Sequence, residues 1–406
     1  MIPRITEGEL RHRINALREY MDRNELDAVY ITNLPNIFYL TNLYILSTER
    51  PFILIVPRDG EITLISPLLE KDRLEFMERV MNSHVVGRRY FYFDFPGDPH
   101  VILLIRDWVM ELARDYGIKS IGMDNPAGAP SYWGYYGPTL SELLQKTGIE
   151  VKPFRDVIEN MRLTKNEEEI NLIRISGEWA AKAIDIAMNY IRPGKYDWEV
   201  AFEASLEASR RLKEYFGDDY MTIKYPEPLD VGFRGQVGEY SAYPHIISIH
   251  RRISEGDVLG IGSGPDIGGY SAELERTLFV KYARDSHRDL YEKMMRIREA
   301  ALMLIRPYGD IKEVDKAVRE KAKELGVYEY LRHHVGHGLG IEGHERPFID
   351  IGYEGKFLPG MVFSVEPGIY VPGLGGFRHS DTVLVRKDGI EFLTKYPVEI
   401  NELIIK

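Results

Sequence analysis

Apolar side chains recur along this chain with two periods. Leu10, Ile14, Leu17 and Met21 lie three or four residues apart, the spacing that lines one face of a helix. Short continuous apolar runs follow at 28–32 (AVYIT), 52–56 (FILIV) and 62–66 (ITLIS); bounded by Pro, Asn and Gly, they read as strands. Segment 101–115 is helix-like, 119–123 strand-like and 138–146 helix-like. This alternation predicts an α/β domain over residues 1–157. A long helix opens the remainder. Thr164 and Glu167 form a capping-box pattern, Ile170, Ile173 and Ile184 supply a buried face, and Pro193 and Gly194 mark the end. Further helices are predicted at 197–215, 286–306 and 311–325 between strand-rich stretches, so 158–406 reads as a second domain of α+β type. Segments 255–262 (EGDVLGIG) and 359–366 (PGMVFSVE) are faintly self-similar, a hint of duplicated halves.

Residues 257–262 and 270–280 predict a hairpin joined by PDIGG. On its second strand Glu273, Glu275 and Thr277 are spaced by two and share a face, while Leu274 and Arg276 point the other way. Two same-face glutamates are costly to bury unless a cation or a shared proton offsets them. On a solvated face they need no partner, so the pair alone leaves both readings open. His245 (in YPH), His337 (in VGHGLG), His344 (in HERP) and Glu366 (in SVEPG) enlarge the set. Glycines on both sides of His337 imply that other backbone approaches it closely. Three histidines and three glutamates in such settings suit metal binding or general acid–base chemistry.

Composition narrows the classes. With 406 residues and 44% hydrophobic content the chain can build two cores. The absence of cysteine excludes disulfides, zinc–thiolate sites and thiol nucleophiles. A formal charge of −11 without a basic stripe argues against nucleic acid or an anionic membrane as partner. No apolar run reaches the roughly 18 residues of a membrane span, and the opening MIPRITEGEL lacks a signal-peptide core. The expectation is a soluble cytoplasmic protein.

The hairpin GDVLGIGSGPDIGGYSAELERTLF and the segments VGHGLG…HERP, GMVFSVEPGIY and GFRHSDTVLV occur in an order and spacing that resemble the creatinase/prolidase family of pita-bread hydrolases, over nearly the whole chain. The resemblance implies an N-terminal creatinase-like α/β domain and a C-terminal pita-bread catalytic domain. The metal-dependent members place Asp, Asp, His, Glu and Glu on two divalent cations. The matching positions here are Gly262, Glu273, His337, Glu366 and Ser380, so two carboxylates are absent. Creatinase, a member that works without metal, implies a different set. Its substrate-binding glutamates fall on Glu275 and Glu366, its catalytic histidine on His245, and an arginine that reaches across the dimer on Arg50. Arg378 matches a family arginine near the site, and His337 with His344 matches the peptidase version of that motif. Thr48 departs from creatinase, which carries a phenylalanine there.

The leading expectation is therefore a metal-independent hydrolase of C–N bonds, acting as a homodimer on a small zwitterion and needing no cofactor. Glu275 and Glu366 would hold a cationic group and Arg50 of the neighbour a carboxylate, with His245 as general base and acid. One alternative is an Xaa-Pro dipeptidase with a single Mn, Co or Zn ion on Glu273, His337 and Glu366. Another is a non-catalytic binding module, against which the joint presence of His245, His337, His344, Glu275 and Glu366 argues.

Overall fold

The computed structural model describes residues 3–93, 101–129, 136–217, 220–246 and 251–406, and these form two compact units, Arg4–Arg162 and Leu163–Lys406 with Pro3. The N-terminal unit runs α1 (Glu7–Arg23), β1 (Ala28–Ile31), α2 (Leu34–Thr41), β2 (Ile53–Pro57), β3 (Ile62–Pro67), α3 (Lys71–Met81), β4 (Val86–Tyr92), α4 (Val101–Tyr116), β5 (Ser120–Met123), α5 (Leu140–Gln145), β6 (Glu150–Pro153) and α6 (Val157–Arg162). Its strands form a mixed sheet in the order β4-β3-β2-β1-β5-β6. Helix α1 buries the predicted Leu10, Ile14, Leu17 and Met21, and Thr6 caps it by accepting from Glu9 N. Strands β1 to β3 are buried along their whole length, which is why they read as unbroken apolar runs rather than alternating ones.

The C-terminal unit begins with α7 (Glu167–Met188) and α8 (Asp197–Phe216). The cap of α7 lies two residues beyond the predicted one. Asn166 Oδ1 accepts from Glu169 N at 2.9 Å, and Glu169 Oε2 accepts from Asn166 N at 3.0 Å. The helix also stops at Met188, and Gly194 serves a turn in which its N–H donates to Ile253 O. Strands β7 (Val231–Gly232), β8 (Val258–Ser263) and β9 (Leu274–Val280) follow, then α9 (Asp285–Leu302) and α10 (Ile311–Glu324). The chain continues with β10 (Gly336–Gly338), β11 (Glu345–Ile349), β12 (Val362–Val365), β13 (Gly368–Val371), β14 (Gly375–Arg378), β15 (Asp381–Arg386), β16 (Gly389–Phe392) and β17 (Ile404–Ile405). Among the described residues these make three sheets, ordered β17-β9-β8-β7, β11-β10-β12-β15-β16 and β13-β14.

Strand β9 is shorter than the 270–280 predicted for it. Tyr270 and Ile267 close a tight bridge of their own, so regular pairing with β8 starts at Leu274. Among the described residues, one backbone bridge joins the first two sheets. Glu275 N donates to Ser380 O at 3.0 Å and Ser380 N to Glu275 O at 3.1 Å, joining β9 to the start of β15. That bridge brings the hairpin's acids against the sheet that carries His337 and Glu366. No helix among the described residues is long and apolar enough to cross a membrane.

Candidate active site

His337 sits at the centre of β10, between β11 and β12. The glycines beside it are needed for packing: a β-carbon on Gly336 would lie 1.9 Å from Ser364 O, and one on Gly338 would lie 2.6 Å from Arg346 O. The close backbone approach read from the sequence is therefore that of the two neighbouring strands. The imidazole is fully buried. Its Nδ1 lies 3.0 Å from Gly338 O, which assigns the Nδ1 proton to that carbonyl and turns Nε2 inward. Nε2 lies 3.1 Å from Glu366 Oε1 and 3.8 Å from Glu273 Oε2, so the polar atoms it faces are carboxylate oxygens, and it pairs with Glu366 when the ring is protonated.

The three glutamates face this nitrogen from two strands. Glu273, just before β9, is anchored through its backbone, whose N–H donates to Thr382 Oγ1 and whose carbonyl accepts from the same hydroxyl. Its Oε1 accepts from Ser380 Oγ at 2.6 Å and from Ser364 Oγ at 3.0 Å, leaving Oε2 toward His337. Glu366 follows β12 and is fixed by donation from its N–H to Val335 O. Glu275 pairs with two guanidinium groups, Oε1 with Arg234 Nη2 at 2.5 Å and Oε2 with Arg378 Nε at 2.5 Å. Arg378 Nη1 also lies 3.8 Å from Glu366 Oε2 and donates to Tyr370 Oη at 3.3 Å.

The electrostatics follow from this geometry. Burial works to raise the Glu273 carboxyl, but His337, the Ser380 hydroxyl, Arg378 and Ser364 outweigh it and hold it below the usual value. Glu366 is pushed up to about 7, by burial first and by the Glu273 charge second. Burial opposes protonation of His337, but Glu366 and Glu273 outweigh it and raise its pKa. The neighbouring His333, hydrogen-bonded to Tyr370 Oη at 2.8 Å, is driven down to about 4 by burial and by Arg378.

Of the residues chosen from the sequence, the structure brings Glu273, Glu275, His337, His344, Glu366 and Arg378 together. The His344 ring stacks on that of His337 with centroids 3.8 Å apart. His245 lies exposed in a turn, close enough for its charge to bear on His333 and His344, with no hydrogen bond among the described residues. Arg50 belongs to the N-terminal unit, where its Nη1 lies 2.6 Å from Glu49 Oε1. Sequence reasoning missed Arg234, Ser364, His333 and Tyr370. Arg234 carried one usable signal: it precedes a glycine, and its φ of 49° marks a sharp turn that aims the side chain at Glu275.

Three comparisons with known proteins bear on the site. Residues 13–164 match the creatinase/prolidase N-terminal domain, and residues 171–387 match metallopeptidase family M24. The chain belongs to metallopeptidase family M24. It is 30% identical to an Xaa-Pro dipeptidase of Pyrococcus horikoshii over 96% of this chain and 99% of that protein. An Xaa-Pro dipeptidase of Pyrococcus furiosus is likewise 30% identical, covering 96% and 100% of the two chains. The solved prolidase from Pyrococcus horikoshii OT3 superposes with a TM-score of 0.76 at 29% identity, covering 96% of this chain and 99% of that one. The two-domain creatinase/prolidase architecture and the hydrolysis of a C–N bond are thereby supported. These relatives favour the metallopeptidase alternative over the metal-independent, creatinase-like reading, and a divalent ion over no cofactor.

The residues present fit one divalent ion and not the family's pair. Gly262 offers no ligand, and Ser380 offers only a neutral hydroxyl already donated to Glu273. Bridging two dications needs carboxylate charge at those positions. For a single ion the chemistry is right. A buried imidazole nitrogen faces two carboxylate oxygens, and ligand atoms of Glu273, His337 and His344 lie within 4.8 Å of one another.

Proposed function

We propose that the protein hydrolyses the C–N bond of a short peptide of Xaa-Pro type, as its relatives' names describe. One divalent ion of the Mn, Co or Zn class would be held by Glu273 and His337, completed by Glu366 or His344. The observation that carries this reading is the buried Nε2 of His337 facing carboxylate oxygens of both Glu273 and Glu366. A bound ion of this class polarises a carbonyl and acidifies water. The chain's own groups supply the rest. Ser364 and Ser380 hold Glu273 in one rotamer, so its free oxygen stays aimed at the pocket. Arg378 holds the Glu275 carboxylate and faces that of Glu366, keeping both at the wall of the site. His344, stacked on His337 and open to solvent, is placed to orient the substrate carbonyl. His245, at an exposed turn, takes a proton from water and returns it to the leaving nitrogen. Arg50 of a second copy would bind the substrate carboxylate, which makes the active form a homodimer.

A second reading keeps the same residues without metal. Gly262 and Ser380 favour it, as does a Glu366 carboxyl near neutrality, a value suited to proton transfer. One experiment separates the two. Turnover of Xaa-Pro dipeptides that stops on chelation and returns with Mn or Co supports the first reading. Turnover of a creatine-like zwitterion unaffected by chelator supports the second. The absence of hydrolysis in both assays overturns both readings.

A further inference from the structure

The position of Glu275 explains why the metal set is incomplete. Across the hairpin Glu275 pairs with Gly262, and on its other side it bridges to Ser380. The two positions that lack carboxylates are thus its lateral neighbours on either side. A β-carbon on Gly262 would stand 3.0 Å from Glu275 Cγ and 3.3 Å from Glu275 Oε1. A side chain at 262 would press on Glu275, which would have to give by a few tenths of an ångström, and an aspartate there would also set its charge beside the Glu275 carboxylate. The charge of Glu275 is also engaged. Arg234 pairs with one oxygen and Arg378 with the other, and the Arg378–Glu275 pair is buried. Arg378 further faces Glu366, the next carboxylate along. Two carboxylates are therefore met by two guanidinium cations before any ion enters. A second dication would have to take Glu275 and Glu366 from Arg378, or sit beside an uncompensated buried guanidinium. On the other side, Glu273 Oε2 and His337 Nε2 have no guanidinium between them.

We infer that the Arg234–Glu275–Arg378 trio fills, in space and in charge, the place of a second divalent ion, so this centre takes one ion at Glu273 and His337 and excludes another. The inference rests on the proposed function only in placing an ion there; it holds for any substrate. It differs from the simple loss of two ligands, which would leave an empty hole: here a third side chain has grown into the hole and carries its own counter-ions.

The test counts ions rather than turnover. The wild-type protein is stripped with chelator, titrated calorimetrically with Mn²⁺ or Co²⁺, and analysed for bound metal after gel filtration. One equivalent per chain is expected. Two equivalents, or none, overturn the inference. The triple variant Gly262→Asp/Glu275→Ala/Ser380→Glu should gain a second equivalent if Glu275 is what excludes it. A triple variant with wild-type circular dichroism and a single equivalent overturns the role of Glu275. If that variant does not fold, Glu275→Ala alone in the presence of excess acetate serves instead: a second ion appearing with exogenous carboxylate supports the inference, and its absence counts against it. Failure of Xaa-Pro hydrolysis with one bound equivalent would overturn the proposed substrate and leave the ion count standing.

Discussion

Asp381 and Glu273 are carboxylates of the same unit, yet their surroundings are opposite. Asp381 Oδ1 accepts from Arg276 Nη2 at 2.7 Å and Thr394 Oγ1 at 3.1 Å, and its Oδ2 accepts from Arg298 Nη2 at 2.6 Å. Arg276 spends its remaining donors on the carbonyls of Glu275, Ser380, Tyr396 and Pro397. This cluster is closed, since each charge meets an opposite charge or a carbonyl; Arg276 ties β9 to β15, and Arg298 ties α9 to the same carboxylate. The cluster around Glu273, which accepts from Ser380 next to Asp381, is open. Around Glu273 the donors are neutral hydroxyls, the Glu366 carboxyl is pushed up to about 7, and an imidazole nitrogen faces carboxylate oxygens. A cluster that only supports the fold has no reason to crowd carboxylates around one buried imidazole. The difference separates a structural charge network from one built to receive something, although both are buried and both consist of ion pairs.

Four substitutions sharpen or break that contrast. The largest effect is expected at His245, which is exposed and makes no hydrogen bond among the described residues. His245→Ala should lower kcat by about 10²–10⁴-fold while leaving the thermal midpoint unchanged; near-wild-type turnover removes it from the chemistry. Next is the closed cluster. Asp381→Ala strands two buried guanidinium groups and should cost about 3–5 kcal/mol in urea unfolding. A loss below ~1 kcal/mol would mean that this network is not what holds β9 to β15. On the open side, Ser380→Ala removes the 2.6 Å hydrogen bond that orients Glu273 and should weaken ion binding about 10–100-fold by calorimetry with little change in stability. The smallest effect belongs to the closed side again. Tyr291 Oη donates to Val398 O at 2.6 Å, and Tyr291→Phe should cost about 0.5–1.5 kcal/mol with activity retained.

Particular elements show how far the sequence could be read. Helix α1, the buried strands β1 to β3 and helices α4 and α8 to α10 are strongly patterned, and each forms close to its predicted bounds. The cap of α7 was ambiguous, because Thr164–Glu167 and Asn166–Glu169 both carry the required spacing. Tertiary pairing decided it. The Lys165 N–H donates to Gly360 O, which ties the chain ahead of Asn166 to the loop leading into β12. Helices α2 and α3 and strand β4 went unread: the first is apolar nearly all round, and the other two carry charged residues on short segments. In the site, strand periodicity placed Glu273 and Glu275 on one face, but the partner of each carboxylate was invisible. Arg234 lies 41 residues from Glu275, and Ser380 lies 107 residues from Glu273.

By itself the amino-acid sequence determined the family motifs, the identity of every candidate ligand and the absence of carboxylates at 262 and 380, because those are properties of residue types at fixed spacing. Only the tertiary structure decided which charges cancel. The sheet bridge at Glu275 and Ser380 sets two arginines on one glutamate and two serines on the other. Ion-pair energies depend on distance and burial between residues far apart in the chain, and neither is written in local pattern.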